Sequence, residues 1–161
     1  MCICDGLFEG FKWTSLTGLN CDSLPEAPGV YVLRLVNMGE LNIDGAIEFL
    51  RNLCDKAKWR EIKNFASSRI KRLERLKKRL ESSECPVLYI GSTRNLRNRC
   101  RDLAGKRHTV FLALLALLVA GTEIDYGYKI VTSEREASDI EYELKGKYRG
   151  LHGTYPPLVE K

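Results

Sequence analysis

The apolar positions along the chain follow two different periods. From 29 to 37 the run GVYVLRLVN is β-branched and aromatic and predicts a strand, with Tyr31, Leu33 and Leu35 on one face and Val30, Val32, Arg34 and Val36 on the other. Further strands are predicted over 87–91 and 125–133. Elsewhere the spacing lengthens to threes and fours. Ile47, Leu50, Leu53 and Cys54 predict a helix over 44–58, and Ile62, Phe65, Ala66, Ile70, Leu73, Leu76 and Leu80 a longer one over 60–83. Shorter helices are expected over 95–104, with Thr93 or Asn95 as cap, and over 108–120. A last helix over 134–149 opens on SERE, a capping box with Ser133 as cap and Glu136 at the third position. PEAPG at 25–29 is loop chemistry. Before it, Phe8, Phe11, Trp13 and Leu16 suggest a short packing segment. The order predicts an α+β fold, a small three-stranded, mostly antiparallel sheet flanked by helices. One domain over 29–155 is interrupted by a helical insertion at 40–84, with residues 1–28 packed on it and 156–161 as a tail.

Composition narrows this picture. With 161 residues and 44% apolar content the chain has enough material for one core. Its longest apolar run, Val110 to Ala120, is far short of the ~20 residues that span a bilayer, so it is expected to be a core helix and no membrane is implied. The net charge of +5 matters mainly through clustering. Arg69, Lys71, Arg72, Arg75, Lys77, Lys78 and Arg79 stud the long helix, as a solvated face or one lying along phosphates. Arg94, Arg97, Arg101, Lys106 and Arg107, with His108 beside them, form a second group that suits a DNA backbone. The opening MCICDGLFEG lacks the basic and apolar regions of a signal peptide, so the six cysteines are expected to be reduced thiols in a cytoplasmic protein that works with DNA. Cys2-x-Cys4 has no second pair at finger spacing, which argues against a structural zinc. The hydrolase G-x-S-x-G, the P-loop, the dinucleotide fingerprint and Cys-x-x-Cys are all absent.

What remains is tyrosine, arginine and glutamate. Tyr31 and Tyr89 end two strands that can pair, Arg99 follows on the next helix, and Glu141 lies on the last one. A tyrosine can act as a base, an arginine can carry phosphoryl charge, and a carboxylate can hold a magnesium ion that bridges to phosphate. Together these types suit phosphodiester hydrolysis.

The arrangement resembles the GIY-YIG nuclease superfamily. GVY at 29–31 and YIG at 89–91 match its two signature triplets. In YIGSTRNLRNR an Asn95-Leu96 pair precedes Arg99, eight residues past Gly91, and EASDIEYELKGKYR places Glu136-Ala137, then Glu141, then Lys147 and Arg149 around Tyr148. The matched blocks cover 29–37 and 86–155. The resemblance implies a DNA endonuclease dependent on Mg2+ or Mn2+. Tyr31 would be the general base, Tyr89 would position water or phosphate, Arg99 would stabilise the transition state, and Glu141 would ligate the metal. Gly29 and Gly91 would let the backbone pass close to the site.

Three positions depart from the family pattern. The triplets are separated by 57 residues between Tyr31 and Tyr89, against about ten in the family, which makes 40–84 an insertion. Leu103 stands where many members carry His or Tyr, and Gly153 where many carry Asn. The alternative is therefore a weak or inactive GIY-YIG-like module that binds DNA or a protein. The apolar stripe of the 60–83 helix offers a homodimer face in either case.

Overall fold

A computed structural model describes residues 2–105 and 108–159. Four strands form one antiparallel sheet: β1 (Lys12–Ser15), β2 (Gly29–Leu35), β3 (Val87–Thr93) and β4 (Ile124–Ile130), in the spatial order β1-β4-β2-β3. Five α-helices join them: α1 (Ile43–Lys56), α2 (Arg60–Ser82), α3 (Leu96–Leu103), α4 (Phe111–Val119) and α5 (Glu134–His152). The α+β class is as expected, with one strand more than the three predicted.

The added strand is β1, inside the segment read only as a packing element. It pairs with β4 from Lys12 opposite Tyr128 to Ser15 opposite Asp125. Four residues carry too little alternation to announce a strand. Tertiary contacts supply the rest: Arg34 lies over the Trp13 ring at 3.6 Å, and a Cβ at Gly127 would stand 2.6 Å from that indole, so the ring covers bare backbone.

The expected alternation of β2 divides the core. Tyr31, Leu33 and Leu35 face one cluster, shared with Ala46, Ile47 and Leu50 of α1, Leu73 and Leu76 of α2, and Ala113 and Leu117 of α4. Val30 and Val32 face the other, with Val87, Ile90 and Ala137, Leu144 and Tyr148 of α5. The sheet is thus a middle layer, with α5 on one side and the remaining helices on the other. A β-bulge between Leu33 and Arg34 leaves Leu88 unopposed, so Leu88 and Tyr89 both reach the first cluster.

The insertion is continuous with that core. Ala66, Leu73 and Leu76 of the apolar stripe are buried in the first cluster, and Phe65, Ile70 and Leu80 pack against it. The stripe expected to offer a dimer face is therefore covered by the chain itself, with Ile62 left 40% exposed. Its basic faces are also not all solvated or free for phosphate. Arg69, Arg72 and Arg79 are buried. Arg72 Nη1 donates to the Thr109 carbonyl at 2.9 Å and Arg75 Nη2 to the Pro157 carbonyl at 3.2 Å. Arg79 is described below.

Caps follow the predicted chemistry. Asn95 Oδ1 accepts from Asn98 N–H at 3.1 Å and Ser133 Oγ from Glu136 N–H at 3.1 Å. The Glu136 carboxylate turns back to the Thr132 N–H (2.7 Å), one residue before the cap. Helix α5 runs three residues beyond the predicted end, to His152, and Gly153, with φ of 75°, forms a left-handed cap. Beyond it, Leu158 N–H donates to the Leu88 carbonyl at 3.0 Å, which extends hydrogen bonding past the outer side of β3.

The cysteines are not all reduced, contrary to expectation: Cys21 is disulfide-bonded to Cys100, joining the short 3-10 turn at Cys21–Ser23 to α3. No described helix is long and apolar enough to cross a membrane.

Candidate active site

Antiparallel pairing of β2 with β3 places Tyr31 opposite Gly91 and Leu33 opposite Tyr89. The two tyrosine rings stack with centroids 5.8 Å apart. Glycine is required beneath them. A Cβ at Gly91 would stand 2.6 Å from the Tyr31 oxygen and 2.7 Å from the Tyr89 ring, and one at Gly29 would stand 2.7 Å from the Lys129 carbonyl. Gly91 is thus explained by close approach of the two rings, and Gly29 by that of β4 and Leu96.

Two groups meet at the Tyr31 hydroxyl. Arg99, carried by the first turn of α3, points its Nε at Tyr31 Oη (3.3 Å). His108 Nε2 lies 2.7 Å from the same oxygen. The His108 ring state follows from its other nitrogen: Nδ1 accepts from the Val110 N–H at 3.1 Å. A neutral imidazole bonded in this way carries its proton on Nε2. Tyr31 Oη therefore accepts from both Arg99 Nε–H and His108 Nε2–H. Burial pushes the Tyr31 phenol well above its ordinary value, Tyr89 adds to the rise, and Arg99 offsets part of it. Burial holds His108 down to about 3, with the Arg99 charge acting in the same direction.

His108 thus has a different place from the one expected. It has no exposed surface and cannot be a DNA-facing cation. It joins the tyrosine pair instead, with its ring 5.2 Å from that of Tyr89. Its environment also predicts acid sensitivity. Tyr31, Tyr89 and Arg99 face the ring, and an unfolded imidazole binds its proton more strongly than this one. The contribution of His108 is complete above pH 6.5 and is lost as pH falls toward 3. Between pH 6.5 and pH 5 the folded state should lose about 2 kcal/mol through this residue. Urea titrations of wild type and His108→Gln at both pH values measure the difference. Equal losses in the two proteins would refute the assignment.

Beside this cluster is an open cavity of about 730 Å3 lined by Ser92, Thr93, Arg94, Asn95, Asn98, Arg99, Arg101, Asp102 and Glu134. Arg99 belongs to both, and its Nη1 lies 3.7 Å from Asp102 Oδ2. Arg94 is exposed in the cavity wall. Arg101 also lines it but pairs with Asp22. Arg97 turns away, donating to the Leu24 carbonyl (2.9 Å) and lying 3.5 Å from Glu26. Lys106 and Arg107 lie outside the described residues. Leu103, at the position where the resemblance leads one to expect a polar side chain, is buried in the core. Gly153, where the resemblance leads one to expect asparagine, serves as the α5 cap with φ of 75°, a conformation that favours glycine.

Glu141 approaches from α5, on the other side of the sheet. Its Oε2 accepts from Ser92 Oγ, and Ser92 also lines the cavity. Its Oε1 accepts from Lys145 Nζ at 2.7 Å. Tyr31, Tyr89, Arg99 and the Gly91–Ser92 end of β3 are therefore gathered directly, and Glu141 is joined to them through Ser92. A half-buried carboxylate beside a hydroxyl is a donor set that a magnesium ion keeping most of its waters can use, on displacing Lys145. Ser92 is a member that sequence reasoning did not assign to the site, and His108 was assigned to DNA contact, not to the tyrosine pair. His108 was visible only as a histidine near a basic run, and Ser92 as the residue after the second triplet. Comparison of the chain with protein-family models, with curated proteins and with solved structures finds no match.

Proposed function

We propose that the protein is a metal-dependent DNA endonuclease that hydrolyses phosphodiester bonds at the Tyr31–Tyr89–Arg99–Glu141 site. The observation that carries this reading is Tyr31 Oη held between Arg99 Nε and His108 Nε2 above Gly91, with Arg99 shared by the basic cavity. Arg99 presents its remaining donors to a phosphate in that cavity and stabilises charge as it builds on the phosphoryl oxygens. Arg94 and Asn98 hold the flanking backbone without reading bases. Tyr89, 9% exposed, orients the attacking water. Tyr31 accepts that water's proton only as phenolate, a form that the two N–H donors on its oxygen favour and its burial opposes. Mg2+ or Mn2+ held by Glu141, with Ser92 alongside, would supply Lewis-acid charge at the phosphate.

A second reading has its own observation. Both Glu141 oxygens are engaged, one by Lys145 at 2.7 Å, as expected of a module that binds DNA without cutting it. One experiment separates the two. Wild type and Glu141→Gln, which can keep the Ser92 bond, are incubated with supercoiled plasmid and with branched DNA in Mg2+ or Mn2+. Cutting by wild type that falls about a hundredfold in the variant supports the nuclease. Salt-dependent binding by both proteins with no cutting under either metal gives the binding module. Equal cutting by both removes Glu141 from the site.

A further inference from the structure

Far from the tyrosine pair, three cysteines and a histidine converge. Cys2 Sγ lies 3.0 Å from Cys4 Sγ and 3.6 Å from His152 Nε2, and Cys4 Sγ lies 3.2 Å from Cys85 Sγ. All four ligand atoms lie within 4.8 Å of one another. They come from three separate parts of the chain: the N-terminal turn, the residues just before β3, and the last turn of α5.

We propose that Cys2, Cys4, Cys85 and His152 form a structural zinc site, with three thiolates and one imidazole around a single ion, which fastens the N-terminal turn and the end of α5 to the start of β3. The inference is independent of the nuclease reading.

Three observations carry it. The first is geometry. A tetrahedral Zn2+ with Zn–S of about 2.3 Å and Zn–N of about 2.1 Å separates its sulfurs by about 3.8 Å and sulfur from nitrogen by about 3.6 Å. The Cys2–His152 spacing already has that value, and the two sulfur spacings lie within an ångström of it. Four ligand atoms this close surround one ion. Soft thiolates with an imidazole select zinc over the oxygen-loving Mg2+ and Ca2+.

The second is charge. Arg79 is 8% exposed, and among the described residues it makes no ion pair with a carboxylate. Its Nη2 donates instead to the Cys85 carbonyl, and its Nη1 to the Val87 carbonyl and Tyr148 Oη. A buried cation needs an opposite charge nearby. Three thiolates and Zn2+ sum to −1, directly beside it.

The third is the surrounding support and access. Ser83 Oγ accepts from the Cys85 N–H at 3.2 Å, which fixes the backbone that presents the Cys85 thiol. The His152 ring is packed on Tyr148 at 4.4 Å between centroids. Cys4 and Cys85 are fully buried, whereas Cys2 and His152 border an open cavity of about 360 Å3 that gives an ion a way in.

The test is metal content of the purified full chain, followed by cobalt substitution under reducing conditions. One zinc per chain is expected. Co2+ should give thiolate-to-metal charge transfer together with the intense visible bands of tetrahedral coordination. Cys85→Ser should abolish these bands. His152→Ala, altered at a half-exposed helix end, should stay folded by circular dichroism yet bind Co2+ at least tenfold more weakly. Cys54→Ser, outside the cluster, should keep full zinc. Protein that carries no zinc and takes up no Co2+ with its thiols reduced would overturn the proposal. So would equal metal content in wild type and both cluster variants, or recovery of Cys4 disulfide-bonded to Cys85 or Cys2 from protein never exposed to oxidant.

Discussion

Arg79→Met is expected to destabilise the fold by about 3–5 kcal/mol. The arginine side chain reaches from α2 beneath the start of β3 to α5, and its guanidinium bonds the Cys85 and Val87 carbonyls and the Tyr148 hydroxyl. Methionine retains much of the apolar stem but offers no donor. Two carbonyls and a phenol would then remain buried without partners, at about 1–3 kcal/mol each. Removing a buried charge recovers part of that loss, which sets the lower end of the range. Arg79→Lys should fall between the two proteins, because one ammonium cannot reach three acceptors spread across a planar fork. Urea unfolding of the three proteins measures the series. A loss under 1 kcal/mol for Arg79→Met would show that the bonds are not what holds these elements together.

Replacing the disulfide, as Cys21→Ser with Cys100→Ser, should cost about 2–4 kcal/mol. The bridge spans 79 residues of sequence, so it removes considerable freedom from the unfolded chain. Its local setting points the same way. Arg101 pairs with Asp22 and Arg97 bonds the Leu24 carbonyl, so α3 is tied to the same turn by polar contacts on both sides of the disulfide. Since α3 carries Arg99, loss of the bridge should also weaken any DNA contact made through that residue. Unfolding with and without reductant, in wild type and in the double variant, gives the comparison. Reductant should shift only wild type. A double variant as stable as the oxidised protein would show that the bridge adds nothing.

The periodicity of the sequence showed the main elements because those elements bury continuous faces. The alternation in 29–37 divides between the two cores of the sheet as read, and the threes and fours of α1 and α2 pack inward. β1 did not show, because a four-residue strand depends on Arg34 and Gly127 from elsewhere to seat Trp13. Within the site, Tyr31, Tyr89 and Arg99 were legible from spacing, since strand pairing and the next helix bring them together directly. His108 was legible only as a cation, because its burial comes from the packing of α4 and the tyrosines. The cysteines were the least legible. Cys21 and Cys100 meet through tertiary packing, and Cys2 and Cys4 find Cys85 and His152 only once both ends of the chain have docked. Finger spacing detects metal sites made within one hairpin, and this cluster is drawn from three places.

The strand order also bears on how the chain is made. β4 lies between β1 and β2, so residues 12–15 have no partner until residues 125–128 have been synthesised. At ribosomal rates of about 5–20 residues per second, that is a wait of roughly 6–20 s. The β2–β3 pair can form during this interval, since both of its strands are already present, while the other edge of β2 also waits for β4. Trp13 cannot be seated, because the backbone it covers at Gly127 does not yet exist. The nascent chain therefore carries Trp13 without its Gly127 seat through most of its synthesis, and the sheet closes on it only when one of its two inner strands arrives.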